Sequence, residues 1–171
     1  MLKRMWENWE RLNPAPRSEE AWTEYAKSFT TQTERWLDEG HGNCHFRDRK
    51  LMKHLEERLH HFDKERYSLF CWAILSNHCH IVIKPFDGHG LEDIIGSMKG
   101  VAARHINLSI RQSGALWAEE SYDRIIRDDE HLWRVVQYIG RNPRLAGLQN
   151  EAGWRRWICP EWIDAGWRFN D

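Results

Sequence analysis

The chain has 171 residues, 41% hydrophobic and 30% charged, and its 25 Lys and Arg against 26 Asp and Glu leave a formal net charge of −1. That length suits one domain with its own core and an added segment, and the balanced charge excludes a uniformly basic surface, so any polyanion site has to be a local patch. The longest apolar run, residues 69–75, is far shorter than the ~20 residues a membrane-crossing helix needs. The first six residues read as no secretory leader, and four Cys without a CxxC pair read as reduced thiols of a cytoplasmic protein. In chain order, Asn13-Pro14-Ala15-Pro16 closes a short N-terminal segment. Trp22, Tyr25, Ala26, Phe29, Trp36 and Leu37 then follow helical spacing over residues 19–38, and Gly40 and Gly42 stop the run. Asp48 is placed to cap a helix with an apolar stripe of Leu51, Met52, Leu55, Leu59 and Phe62. His60 and His61 sit beside that stripe and are expected to face solvent.

Residues 67–75 are apolar on both faces and predict a strand; Ser76-Asn77 make a turn, and residues 78–84 form its hairpin partner, closed by Pro85. A third helix is predicted over residues 91–110 and a further strand over 121–127. Asp128 or Asp129 caps a last helix with Leu132, Val135, Val136 and Ile139 on one side, ending before Pro143. Residues 154–169 carry four of the 11 Trp without a clear period, suited to core packing or to stacking on unpaired bases. The order of elements predicts an α+β fold with a small antiparallel sheet flanked by helices. It divides the chain into an N-terminal helical segment (1–40), the main domain (41–150) and a Trp-rich tail (151–171).

The residues that carry chemistry begin at Asn77-His78-Cys79-His80. Side chains alternate along a strand, so His78 and His80 share one face with their roots ~6–7 Å apart, and Cys79 points to the other layer. Such a pair can hold one metal ion, although a strand may also carry His because the ring packs. Downstream, Tyr138 and Asn142 lie four residues apart and therefore on one helix face. A phenol and a carboxamide aimed at an imidazole pair suit metal-assisted transfer of a phosphodiester to tyrosine. A phenol titrates near pH ~10 and needs such help at neutral pH. The plain alternatives are an interfacial tyrosine with a wet hydroxyl and an asparagine that ends a helix before proline.

Taken together, residues 75–80, 117–129 and 138–148 resemble the REP-associated tyrosine transposases, one-tyrosine members of the HUH class of single-strand DNA transposases, over about residues 41 to 150. The resemblance implies an HUH (ferredoxin-like) nuclease fold. It implies His78 and His80 as metal-binding histidines, Asn142 as a further ligand, Mg²⁺ or Mn²⁺ as the ion, and Tyr138 as the nucleophile. It also implies cleavage of single-stranded DNA at hairpin-forming repeats through a 5′-phosphotyrosine, in a bacterial cytoplasmic protein. The chain departs from the pattern at three places. Ser76 stands where Pro is usual, Cys79 replaces an aliphatic residue, and the Phe-x-Thr-Phe type of opening strand is not legible in residues 6–36. A missing strand leaves one sheet position empty, so a degenerate DNA-binding protein without catalysis is the first alternative. A metal-dependent hydrolase of a small substrate is the second, and apart from Asp123 the chain offers it no obvious extra ligand.

The candidates for DNA contact are Lys99 and Arg104 on the third helix with Arg141 and Arg144 beside the tyrosine. Tyr122, near Arg124 and Arg127, is the reserve nucleophile. The cluster His41-Gly42-Asn43-Cys44-His45 matches no common zinc module and reads as a capped loop. The partner expected is single-stranded or hairpin DNA, with no membrane, for a monomer or weak homodimer.

Overall fold

The computed structural model describes residues 2–16, 18, 28, 32–33, 35–37, 39–118 and 121–170. It divides into two compact units, residues 1–42 and 43–171. The first contains helix α1 (Leu2–Leu12) and a stack of Trp36 on His41 with ring centroids 5.2 Å apart. The helix expected over residues 19–38 lies largely outside the described residues.

The second unit is α+β, a three-stranded antiparallel sheet with helices on both faces, as the sequence predicts. Asp48 caps α2 (Arg49–His60), its carboxylate accepting from the Lys50 amide at 2.8 Å. Leu51, Met52, Leu55 and Leu59 make the buried stripe of that helix. Strands β1 (Tyr67–Ile74) and β2 (Cys79–Pro85) form the hairpin, followed by α3 (Leu91–Ile110) and α4 (Asp129–Leu145). A short helix α5 (Ala152–Arg155), strand β3 (Arg156–Ile158) and helix α6 (Pro160–Asp164) complete the order. Strands run β2-β1-β3 across the sheet.

Each face of the sheet has its own core. α2 and α3 cover one face through Leu55, Leu59, Met98 and Ile106, and α4 covers the other through Val136 and Ile139. β1 reaches both by a bulge. Tyr67 and Leu69 enter the first core; Phe70 is an extra residue against β2, and after it Trp72 and Ile74 take the first core while Cys71 and Ala73 face the second.

Several expectations are corrected. Residues 121–127 form no strand and pair with neither outer edge of the sheet. Their β-like composition instead leaves Tyr122 41% and Ile125 82% exposed. The tail supplies the strand that the sequence hides: β3 pairs antiparallel with β1, setting Cys71 opposite Ile158 and Ala73 opposite Arg156. Among the described residues no strand precedes β1, and β3 fills its second edge. Helix α4 also runs through Pro143 rather than ending before it. Proline removes one amide from the ladder and crowds the preceding turn. In that turn the Gly140 carbonyl accepts from the Arg156 guanidinium at 2.8 Å, a tie between the tail and this helix.

His60 is not the solvent-facing residue expected. Its Nε2 accepts the Trp72 indole N–H at 3.1 Å, and its ring packs edge-on to Trp157 at 4.6 Å. Burial lowers its pKa below 6.5, against smaller opposing effects of Glu56 and Asp63. The folded state therefore prefers the neutral ring, and its stabilisation is complete above the unfolded value of ~6.5 and lost as pH falls below it. His60→Gln should show a shallower loss of stability between pH 7.5 and 5 in urea titrations. Parallel curves for the two proteins would remove His60 as the source.

Candidate metal and nucleophile site

The candidate site begins at the hairpin turn. The Leu75 amide donates to the His78 carbonyl at 2.8 Å and the Phe46 amide to the Ser76 carbonyl at 3.0 Å, which closes the turn and braces it from outside. Arg155, with no exposed surface, reinforces the brace. Its Nη1 donates to the Phe46 carbonyl at 3.0 Å and the Ile74 carbonyl at 3.3 Å, and its Nε pairs with Glu151. The turn residues that precede the histidines are thus tied to two other segments of the chain.

His78 and His80 share the α4 face of the sheet, whereas Cys79 packs into the first core. Burial pushes the Cys79 and Cys71 thiols up to about 12, so neither is a thiolate nucleophile at neutral pH. The rings of His78 and His80 lie at 86° with centroids 5.0 Å apart, and their Nε2 atoms approach to 3.2 Å. Asn77 Oδ1 lies 2.7 Å from His78 Nδ1. That oxygen can only accept, so His78 Nδ1 carries the proton and its Nε2 presents a lone pair. Asn77 is the site residue that sequence reasoning leaves as a mere turn former; its only signal is its place directly before the first histidine.

Two nitrogens bound to one divalent ion at ~2.1 Å lie ~3.0–3.4 Å apart at ordinary coordination angles. In this structure the 3.2 Å contact is a hydrogen bond, with His80 Nε2–H donating to His78 Nε2, and its length also falls in the range two nitrogens on one ion require. Among the described residues no group of three or more His, Cys, Asp or Glu is placed to hold an ion. An ion held by this pair would need donors of other types.

Helix α4 brings candidates for them. Asp128 caps it, accepting from the His131 amide at 2.7 Å, and Val136 and Ile139 anchor it on the sheet. Tyr138 is held half-buried with its ring 5.4 Å from that of His80. Ala73 stands opposite His80 across the hairpin, so a small side chain neighbours the imidazole there. One turn on, Asn142 is fully buried. Its Nδ2 donates to the Tyr138 carbonyl at 3.2 Å, and its Oδ1 has no hydrogen-bond partner. An orphaned buried carbonyl oxygen is costly unless something binds it.

The four basic candidates are divided by the sheet. Arg141 and Arg144 are exposed on α4, on the side of the histidines. Lys99 and Arg104 belong to α3, which packs on the opposite face. Lys99 there holds the loop after α3, donating to the Ala118 carbonyl at 2.9 Å and to Ser121 Oγ at 3.2 Å. Among the described residues no helix is long and apolar enough to cross a membrane.

No curated protein and no solved structure matches the chain. A family model described as "Transposase IS200 like" matches residues 43–142, which span the hairpin, α3 and α4 up to Asn142. With more than half of its length in that match, the chain belongs to the IS200-like transposase family.

Proposed function

We propose that this transposase is of the REP-associated tyrosine type and cuts single-stranded DNA beside hairpin-forming repeats, joining the 5′ end to Tyr138. The observation that carries the reading is the meeting of two imidazole Nε2 atoms at 3.2 Å with the Tyr138 ring packed on His80. His78, His80 and the orphaned Oδ1 of Asn142 would hold Mg²⁺ or Mn²⁺. A divalent ion so held polarises the scissile phosphate and offsets the charge that develops on it.

The residues of the chain supply the rest. Asn77 keeps the proton of His78 on Nδ1, so Nε2 faces the site as a lone pair. Tyr138 Oη forms a bond to phosphorus as the bond to the 3′-oxygen breaks; the phenol gives up its proton and the 3′-oxygen leaves as a hydroxyl. The bond energy stays in the phosphotyrosine, so a later 3′-hydroxyl can attack it and restore the phosphodiester. Arg141 and Arg144, one and two turns beyond Tyr138, would neutralise phosphates of the bound strand.

The degenerate-protein alternative rests on the missing first strand and the near-neutral charge; among the described residues no strand precedes β1, and β3 takes one of its edges. The test is a denaturing gel of the protein mixed with labelled hairpin oligonucleotides and Mn²⁺. A covalent band is expected that vanishes in Tyr138→Phe and with EDTA. Hairpin binding without a band would sink the catalytic reading, and a band that survives in Tyr138→Phe would sink the assignment of the nucleophile.

A further inference from the structure

A cavity of about 280 Å³ opens between the C-terminal end of α2 and the first half of α3, lined by Arg58, His61, Arg66, Ile94, Met98 and Val101 among others. No Asp or Glu lines it. Nearby Asp63 is committed to the backbone, accepting from the Leu69 amide at 2.8 Å. The Nε of Arg58 is buried without a hydrogen-bond partner. The guanidinium carbon of exposed Arg66 sits over the Phe62 ring, 3.7 Å from its centroid. The cleft thus combines two guanidinium groups, no carboxylate in its lining and an apolar wall from α3.

This cleft is separate from the histidine pair. Tyr67 of β1 lines it and stands opposite Pro85, whereas His80 stands opposite Ala73. Six residues of strand place the two ~20 Å apart, and they open on opposite faces of the sheet.

We propose that the cleft binds one unpaired nucleotide of the DNA strand, its phosphate on Arg58 and Arg66 and its base against Met98 and Val101. Guanidinium groups favour phosphate as a planar, fixed charge, and small-ligand pockets hold a flat ring against apolar side chains with a few polar groups to orient it. The volume lies near the ~300 Å³ lower end of ligand pockets, which suits one nucleotide and excludes a duplex. The proposal rests on the reading of the chain as a single-strand DNA enzyme and adds a second holding point, several nucleotides from the scissile phosphate.

The experiment titrates thymidine 5′-monophosphate, and separately inorganic phosphate, into the full chain by calorimetry. It uses wild type, Arg66→Gln, Val101→Trp and Tyr138→Phe, each with an unchanged circular dichroism spectrum. Saturable nucleotide binding is expected, weakened at least about tenfold in Arg66→Gln and in Val101→Trp, which fills the cleft, and kept in Tyr138→Phe. Absence of saturation, or full binding by both cleft variants, would overturn the site. Inorganic phosphate binding as tightly as the nucleotide would overturn the place given to the base. The covalent-band assay reads the other site. A band with no cleft binding sinks the cleft alone, and cleft binding with no band sinks only the phosphotyrosine chemistry.

Discussion

His80→Ala is expected to lose Mn²⁺ binding and covalent-adduct formation by at least ~10²-fold while hairpin binding persists. The reason is geometric. One of two converging nitrogens disappears, and the 3.2 Å pair that fits a single ion becomes a lone imidazole. Asn77→Ala removes only the acceptor that fixes the His78 proton, 2.7 Å away, and should fall between wild type and His80→Ala, at ~10–100-fold. The graded order is the informative part, because a packing role for the histidines would instead lower thermal stability in both variants and leave the ion affinity alone. Calorimetric titration of Mn²⁺ with parallel melting curves separates the two. Unchanged Mn²⁺ affinity in His80→Ala would dismiss the metal pair.

Gly140→Ala is expected to destabilise the fold, although alanine is the better helix former by ~1 kcal/mol at an open helical position. A Cβ at residue 140 would meet the Phe169 Cβ and two atoms of its ring, all closer than 3.0 Å. Backbone on one side and a ring on the other leave no relief except displacement of the tail. That tail is held to the same helix by two bonds of Gln137, whose amide donates to the Arg168 carbonyl and accepts from the Asn170 amide, each at 2.8 Å. Overpacking of this kind costs about 1–3 kcal/mol, a drop of several degrees in Tm for a chain of this size. Limited proteolysis should then cut near residue 168 where wild type resists. A stability gain in Gly140→Ala would show that Phe169 does not seat on this helix in solution.

The parts legible in the sequence are those that periodicity or end signals encode. Asp48 with its stripe to Leu59, the 91–110 helix and the alternation His78, Cys79, His80 all appear where local rules place them. The parts that local rules miss depend on distant partners. Residues 156–158 are too few, and too crowded by tryptophan, to signal a strand; they become one because β1 has an edge to offer. Residues 121–127 have the better strand composition, yet they pair with neither outer strand and stay irregular. Pro143 reads as a stop, yet the helix continues through it to Leu145. The Phe70 bulge has no sequence signal at all, although it decides which β1 side chains face α4. Of the candidate site, the histidines, Tyr138 and Asn142 were legible as residue types at useful spacings. Asn77 as a proton-fixing partner, and the separation of Lys99 and Arg104 from Arg141 and Arg144 by the sheet, emerge only in three dimensions.

The pairing of β3 with β1 also orders events in time. A ribosome delivers the hairpin first, then α3, the long loop and the tyrosine helix, and only afterwards residues 156–158. During that interval β1 has an unpaired edge. Such an edge is a template for pairing with another chain, and contacts so distant in sequence form slowly. The same holds for any fragment cut at residue 142, where the family match ends: it would keep every proposed catalytic group yet have lost the strand that seals the sheet.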